Sequence, residues 1–108
     1  MESQTEKEMR ERLVKSFLDV IILFELRKSK HLSGYDVLEL VHAKFLMFVS
    51  PGSIYSLLYA MERKGLISSD YDEGKRVYML AEKGSSTLQA IVESKEEIQR
   101  FFQTLLQG

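Results

Sequence analysis

A mainly α-helical fold carrying one small β-hairpin is what this 108-residue sequence predicts. Three observations carry that reading. Apolar residues recur at three- and four-residue spacing in four separate stretches, which gathers them on one face of a helix. Between the third and fourth stretches, two short runs of strand character flank the turn-rich Asp72-Glu73-Gly74-Lys75. In the last stretch, Leu88, Ile91, Lys95, Ile98, Phe102 and Leu105 follow the alternating a/d order of a heptad.

Residues 5–28 read as one long helix, with Met9, Leu13, Phe17, Val20 and Phe24 in a row. Leu18, Ile21, Ile22 and Leu23 make its second half apolar nearly all round, so it should be central and buried on several sides. Glu8 with Arg12, and Glu11 with Lys15, stand at four-residue pairing distance and support the helix. Ser29 to Leu32 is a connector, after which Ser33 can cap a second helix whose row is Val37, Leu38, Val41 and Phe45. Leu46 to Val49 fits either an extension of that helix or a short extended link. Ser50 can then cap a third helix over 51–64, with Pro51 at the first helical position. Ile54, Leu57, Leu58 and Met61 form its buried stripe, and Gly52, Ser56, Tyr59 and Arg63 fall on the opposite flank. Gly65 closes this helix after Arg63 and Lys64 have placed positive charge at its negative end. Leu66 to Tyr71 and Val77 to Leu80 are the expected strands. Glu82 to Leu106 is expected as one last long helix, with Gly84 weakening its first turn.

The whole of 1–108 is therefore expected as a single domain: a core over 10–80 that includes the hairpin 66–80, and a helix 82–106 that packs with 5–28. With 44% hydrophobic and 29% charged residues the composition is globular. Zero cysteines exclude a disulfide framework and thiolate metal sites, and fit a reducing cytosol. No apolar run, Val20 to Phe24 included, exceeds five residues, far too short to span a bilayer, and the charged stretch Met1 to Arg12 has no signal-like apolar segment. A soluble cytoplasmic protein without a membrane partner follows. The two histidines, His31 and His42, have no metal-ligand spacing, and no nucleophile, acid–base or phosphate-loop constellation is visible. No enzyme activity, metal or cofactor is expected. The net charge is −1, but residues 27–76 hold eight Lys/Arg against six Asp/Glu, while 1–26 and 77–108 are both slightly acidic.

The order helix, helix, helix, two-stranded hairpin, long helix is that of a winged helix-turn-helix, in which the third helix enters the DNA major groove and the hairpin meets the backbone. The candidate contacts follow from that placement. Ser50, Gly52, Ser53 and Ser56 suit close approach at the start of the third helix, and Tyr55, Tyr59 and Arg63 can reach phosphate or base edges. Tyr35, at the start of the second helix, either anchors that end on phosphate or packs inside the helix-turn-helix. Lys75 and Arg76 are the cations of the wing. Met9, Leu13 and Phe17, with Leu88, Ile91, Ile98, Phe101, Phe102, Leu105 and Leu106, offer more apolar surface than one small domain can cover. A homodimer built on the first and last helices would cover it and would present two reading helices to one operator.

Three segments resemble the PadR family of winged-helix transcriptional regulators over roughly residues 13–106. They are Gly34-Tyr35-Asp36-Val37, the run Ser50-Pro51-Gly52-Ser53-Ile54-Tyr55-Ser56-Leu57-Leu58, and Leu58-Tyr59-Ala60-Met61-Glu62-Arg63-Lys64-Gly65-Leu66-Ile67. Ala81 stands where the family commonly has a Thr that caps the final helix, Ser56 where Pro is frequent, and the wing is short and partly acidic. A single C-terminal helix is similar to the short type within the family. The resemblance implies a homodimeric, sequence-specific DNA-binding transcriptional regulator, with repression the expected mode and double-stranded promoter DNA the partner. Two other uses fit the same residues. A sensor would bind an apolar small-molecule effector between the long helices, and an assembly module would use the winged helix for protein–protein contact alone.

Overall fold

The computed structural model describes residues 1–108. Six helices and two strands follow in the order α1 (Gln4–Ser16), α2 (Leu18–Ser29), α3 (Gly34–Phe45), α4 (Pro51–Arg63), β1 (Ile67–Asp72), β2 (Lys75–Leu80), α5 (Glu82–Glu93) and α6 (Lys95–Gln107). The expected helices over 5–28 and 82–106 are each divided in two. At Phe17 (φ −110°, ψ 19°) and Ser94 (φ −99°, ψ 5°) single residues leave helical geometry, although the amide ladder continues across both. The halves face different surroundings. In the first helix, α1 buries only Val14, whereas α2 buries Leu18, Ile22, Leu23 and Leu26. In the last, α5 buries Gly84 and Leu88, whereas α6 buries nothing. Sequence periodicity carries straight through both joints, so it gives no sign of them.

One continuous core joins Val14, the α2 residues, Val37 and Val41 of α3, Ile54, Leu58 and Met61 of α4, Ile67, Tyr78 and Leu88. Each such side chain, fully removed from water, contributes about 1.5–3 kcal/mol. Leu13 and Phe17 are exposed in the subunit, because the buried face of α1 and α2 runs through Val14 and Leu18, one residue further on. The segment Leu46 to Val49 is the extended link rather than more helix. Leu46 adopts a left-handed conformation (φ 54°), Met47 turns into the core, and Phe48 stacks on the His42 ring.

The hairpin runs one residue beyond expectation at β1 and starts two earlier at β2, leaving a two-residue loop. Glu73 (φ 54°) and Gly74 (φ 79°) both have positive φ, as a type I′ turn demands. Antiparallel register sets Ile67 opposite Leu80, Ser69 opposite Tyr78 and Tyr71 opposite Arg76. Leu32, in the connector before α3, adds a third short pairing: its N–H donates to the Tyr78 carbonyl at 3.1 Å, and the Tyr78 N–H donates back at 2.8 Å. The hairpin is thereby stitched to the start of α3. No helix is long and apolar enough to cross a membrane.

Candidate nucleic-acid interface

The start of α4 is built by its cap. Ser50 Oγ accepts from the Ser53 N–H at 3.1 Å and donates to Ser53 Oγ at 2.8 Å, so its hydroxyl is engaged inside the turn. The Ser53 hydroxyl keeps its own proton for an outside acceptor. Pro51 has no N–H to offer, and a side chain on Gly52 would meet nothing within 4 Å, so the helix end is open at that point. With Ile54, Leu58 and Met61 buried, helical geometry turns Gly52, Ser53, Ser56, Tyr59 and Arg63 outward, and all five are exposed. The Arg63 guanidinium lies 5.7 Å from the centre of the Tyr59 ring, a cation–π pairing on the surface.

Tyr55 is half-exposed and lies across the start of α3. A Cβ on Gly34 would come within 2.4–2.8 Å of its ring and hydroxyl, so the missing side chain is what lets the ring lie there. Tyr35, by contrast, is 58% exposed and does not pack inside the helix-turn-helix. Below it, the start of α3 closes a reciprocal cap. Ser33 Oγ accepts from the Asp36 N–H at 3.1 Å, and the Asp36 carboxylate accepts from the Ser33 N–H at 2.8 Å. Hydrogen bonding from Ser33, its backbone amide first, holds the Asp36 carboxyl below its ordinary range, with smaller help from the positive charge of Lys75. The Leu32–Tyr78 pairing sets β2, and the Tyr55–Gly34 approach sets α4, beside the start of α3. α4, the α3 start and the hairpin thus adjoin one another.

Arg76 sits in the same region, yet its guanidinium is already bonded to Glu62 and Ser69, two residues that the sequence reading did not single out. Their meeting depends on strand register, which brings Arg76 diagonally across from Ser69; sequence spacing alone carries no such signal.

The apolar residues assigned to a partner divide into two groups. Leu88 is 1% exposed in the subunit's own core, because α5 turns it against α2, and it has no surface left for a partner. Ile91 is half-buried, and Phe102 is half-buried with its ring 5.9 Å from that of Phe17. Met9, Leu13, Phe17, Ile98, Phe101, Leu105 and Leu106 remain exposed, Phe101 at 62% and Leu106 at 77%. Between α2 and α5–α6 lies a groove of about 520 Å³, with Phe24, Ile91, Ile98 and Phe102 in its lining and Arg27 and Lys95 also against it.

A helix-turn-helix formed by α3 and α4, with a hairpin beside the second helix, defines a winged-helix protein of the DNA-binding class. The sequence pattern of the transcriptional regulator PadR-like family matches residues 22–90. The chain belongs to that family, and so among transcriptional regulators rather than enzymes. A PadR-like transcriptional regulator from Bacillus cereus superposes with a TM-score of 0.74 at 26% identity, over 90% of this chain and 98% of that one. A PadR family regulator from Clostridium difficile gives a TM-score of 0.73 at 26% identity, over 83% and 98%. Bacillus subtilis PadR, solved in complex with operator DNA, gives 0.60 at 27% identity, over 69% of this chain and 46% of that one. No curated protein matches the chain in sequence.

Proposed function

We propose that this chain acts in the cytoplasm as a homodimeric repressor, with α4 in the major groove of promoter DNA and the hairpin tip on the phosphate backbone. The observation that carries the proposal is the outer flank of α4: an open, capped helix start at Gly52 and Ser53, followed by Ser56, Tyr59 and Arg63, with the hairpin held against α4 through Arg76 and Glu62. Small polar side chains and a free amide allow the helix to approach closely, while Tyr59 and Arg63 reach further along the groove. The operator complex of the Bacillus subtilis relative supports the same use of this fold. Dimerisation through α1 and α6 is the other half of the proposal, supported by the exposed row of Leu13, Phe17, Phe101, Leu105 and Leu106. A two-fold dimer would set two α4 helices about one DNA turn, roughly 34 Å, apart.

Fluorescence anisotropy with duplexes from the region upstream of the chain's own reading frame tests this. Binding should weaken linearly in log affinity against log salt, by about 0.9 per phosphate neutralised. Arg63→Ala with Lys75→Ala should weaken binding and flatten that slope without disturbing the dimer. Binding to no fragment, or binding indifferent to salt, would count against the proposal. The groove beside Phe24 and Phe102 favours a second role, release from DNA on binding an apolar small molecule. Thermal-shift measurements with aromatic compounds would reveal it as a rise in melting temperature.

A further inference from the structure

One carboxylate joins the hairpin to α4. Glu62 Oε2 accepts from Ser69 Oγ of β1 at 2.6 Å, and its Oε1 accepts from the Arg76 guanidinium of β2 at 2.9 Å. Arg76 donates again to Ser69 Oγ at 3.0 Å, and lies 5.6 Å from the centre of the Tyr78 ring. Helical geometry sets Glu62 on the same flank of α4 as Tyr55 and Tyr59, so the join is made beside the reading surface. Both of its oxygens are used, one on each strand. A guanidinium paired in this way is already charge-compensated, and moving it to a phosphate would leave the Glu62 carboxylate facing the DNA.

We infer that Glu62 is a positioning residue of the DNA interface: it fixes the hairpin against α4 and withholds Arg76 from phosphate, leaving Lys75 as the cation the tip presents. This rests on the reading that α4 and the hairpin meet DNA. It departs from the expectation that Lys75 and Arg76 act alike.

The test uses the full chain and a short duplex of random sequence, titrated across a salt series. Glu62→Gln keeps an acceptor for Ser69 but releases Arg76, so affinity rises and the log–log salt slope steepens by about 0.9 for each hairpin on the duplex. Glu62→Gln combined with Arg76→Gln returns the slope to that of the unmodified protein, which separates a freed Arg76 from the mere loss of a negative charge. Arg76→Gln alone leaves the slope where it was. A slope flattened by about 0.9 in Arg76→Gln alone would overturn the inference, since Arg76 would then already sit on phosphate. An unchanged slope in Glu62→Gln would overturn it equally. Arg76→Gln decides the matter by itself should the Glu62 variant be unstable. Lys75→Ala should flatten the slope in every background. Salt-indifferent binding by the unmodified protein would instead defeat the DNA reading itself.

Discussion

Two glycines show how differently the same residue type is used within one small protein. Gly84, in the first turn of α5, lies so close to the chain leaving α4 that a Cβ would stand 2.0 Å from the Leu66 carbonyl oxygen and 3.2 Å from Leu80 Cδ2. Backbone cannot step aside as a flexible side chain can. Gly84→Ala should therefore destabilise the fold by about 1–3 kcal/mol, despite alanine's better helix propensity. For a chain of this size that is a melting temperature lowered by roughly 4–8 °C per kcal/mol, measurable by circular dichroism. Gly52→Ala meets nothing within 4 Å, so it should leave the melting temperature unchanged or slightly raised while weakening DNA binding. A stable Gly84→Ala would mean that α5 can slide away from Leu66.

Among the elements, the hairpin makes the sharpest demand on its sequence. Its loop needs positive φ at both central residues, and Glu73 meets that need poorly, since a left-handed conformation suits Asn and Gly far better than Glu. Glu73→Asn should stabilise the protein by roughly 0.5–1 kcal/mol. It should also tighten DNA binding, because a negative charge beside Lys75 is removed. Thermal melts and anisotropy would check both, and a lowered melting temperature would refute the turn argument. The same hairpin shows what the sequence carries and what it does not. Ser33, Ser50 and Pro51 announce two helix starts, and Asp72-Glu73-Gly74-Lys75 announces the turn, because caps and turns are local chemistry. The outward flank of α4 is equally legible, since Ile54, Leu58 and Met61 fix its rotation. The joints at Phe17 and Ser94 are not, because the apolar rows continue through them. Nor are the Leu32–Tyr78 pairing or the Glu62–Ser69–Arg76 cluster, which arise only when distant segments meet in register.

At the scale of the whole molecule, the core draws on every element except α6. Replacing apolar residues there should leave the subunit fold intact, which makes the proposed dimer separable from folding. Phe101→Glu with Leu105→Glu should give a folded monomer by light scattering, with DNA affinity lost along with the second reading helix. A monomeric unmodified protein would remove the basis of that expectation. α6 buries no residue fully and meets the end of α1 through Phe102 on Phe17, so its last turns have little tertiary support, and unsupported helix ends are marginal in water. Its order would then be supplied by its twin, through mass action. Were the proposed dimer to form, cellular abundance would become a control input in its own right: below the dissociation constant for self-association, a newly made chain would have a finished reading head and a fraying tail, open to proteases. Repression would begin only once synthesis outpaced that loss.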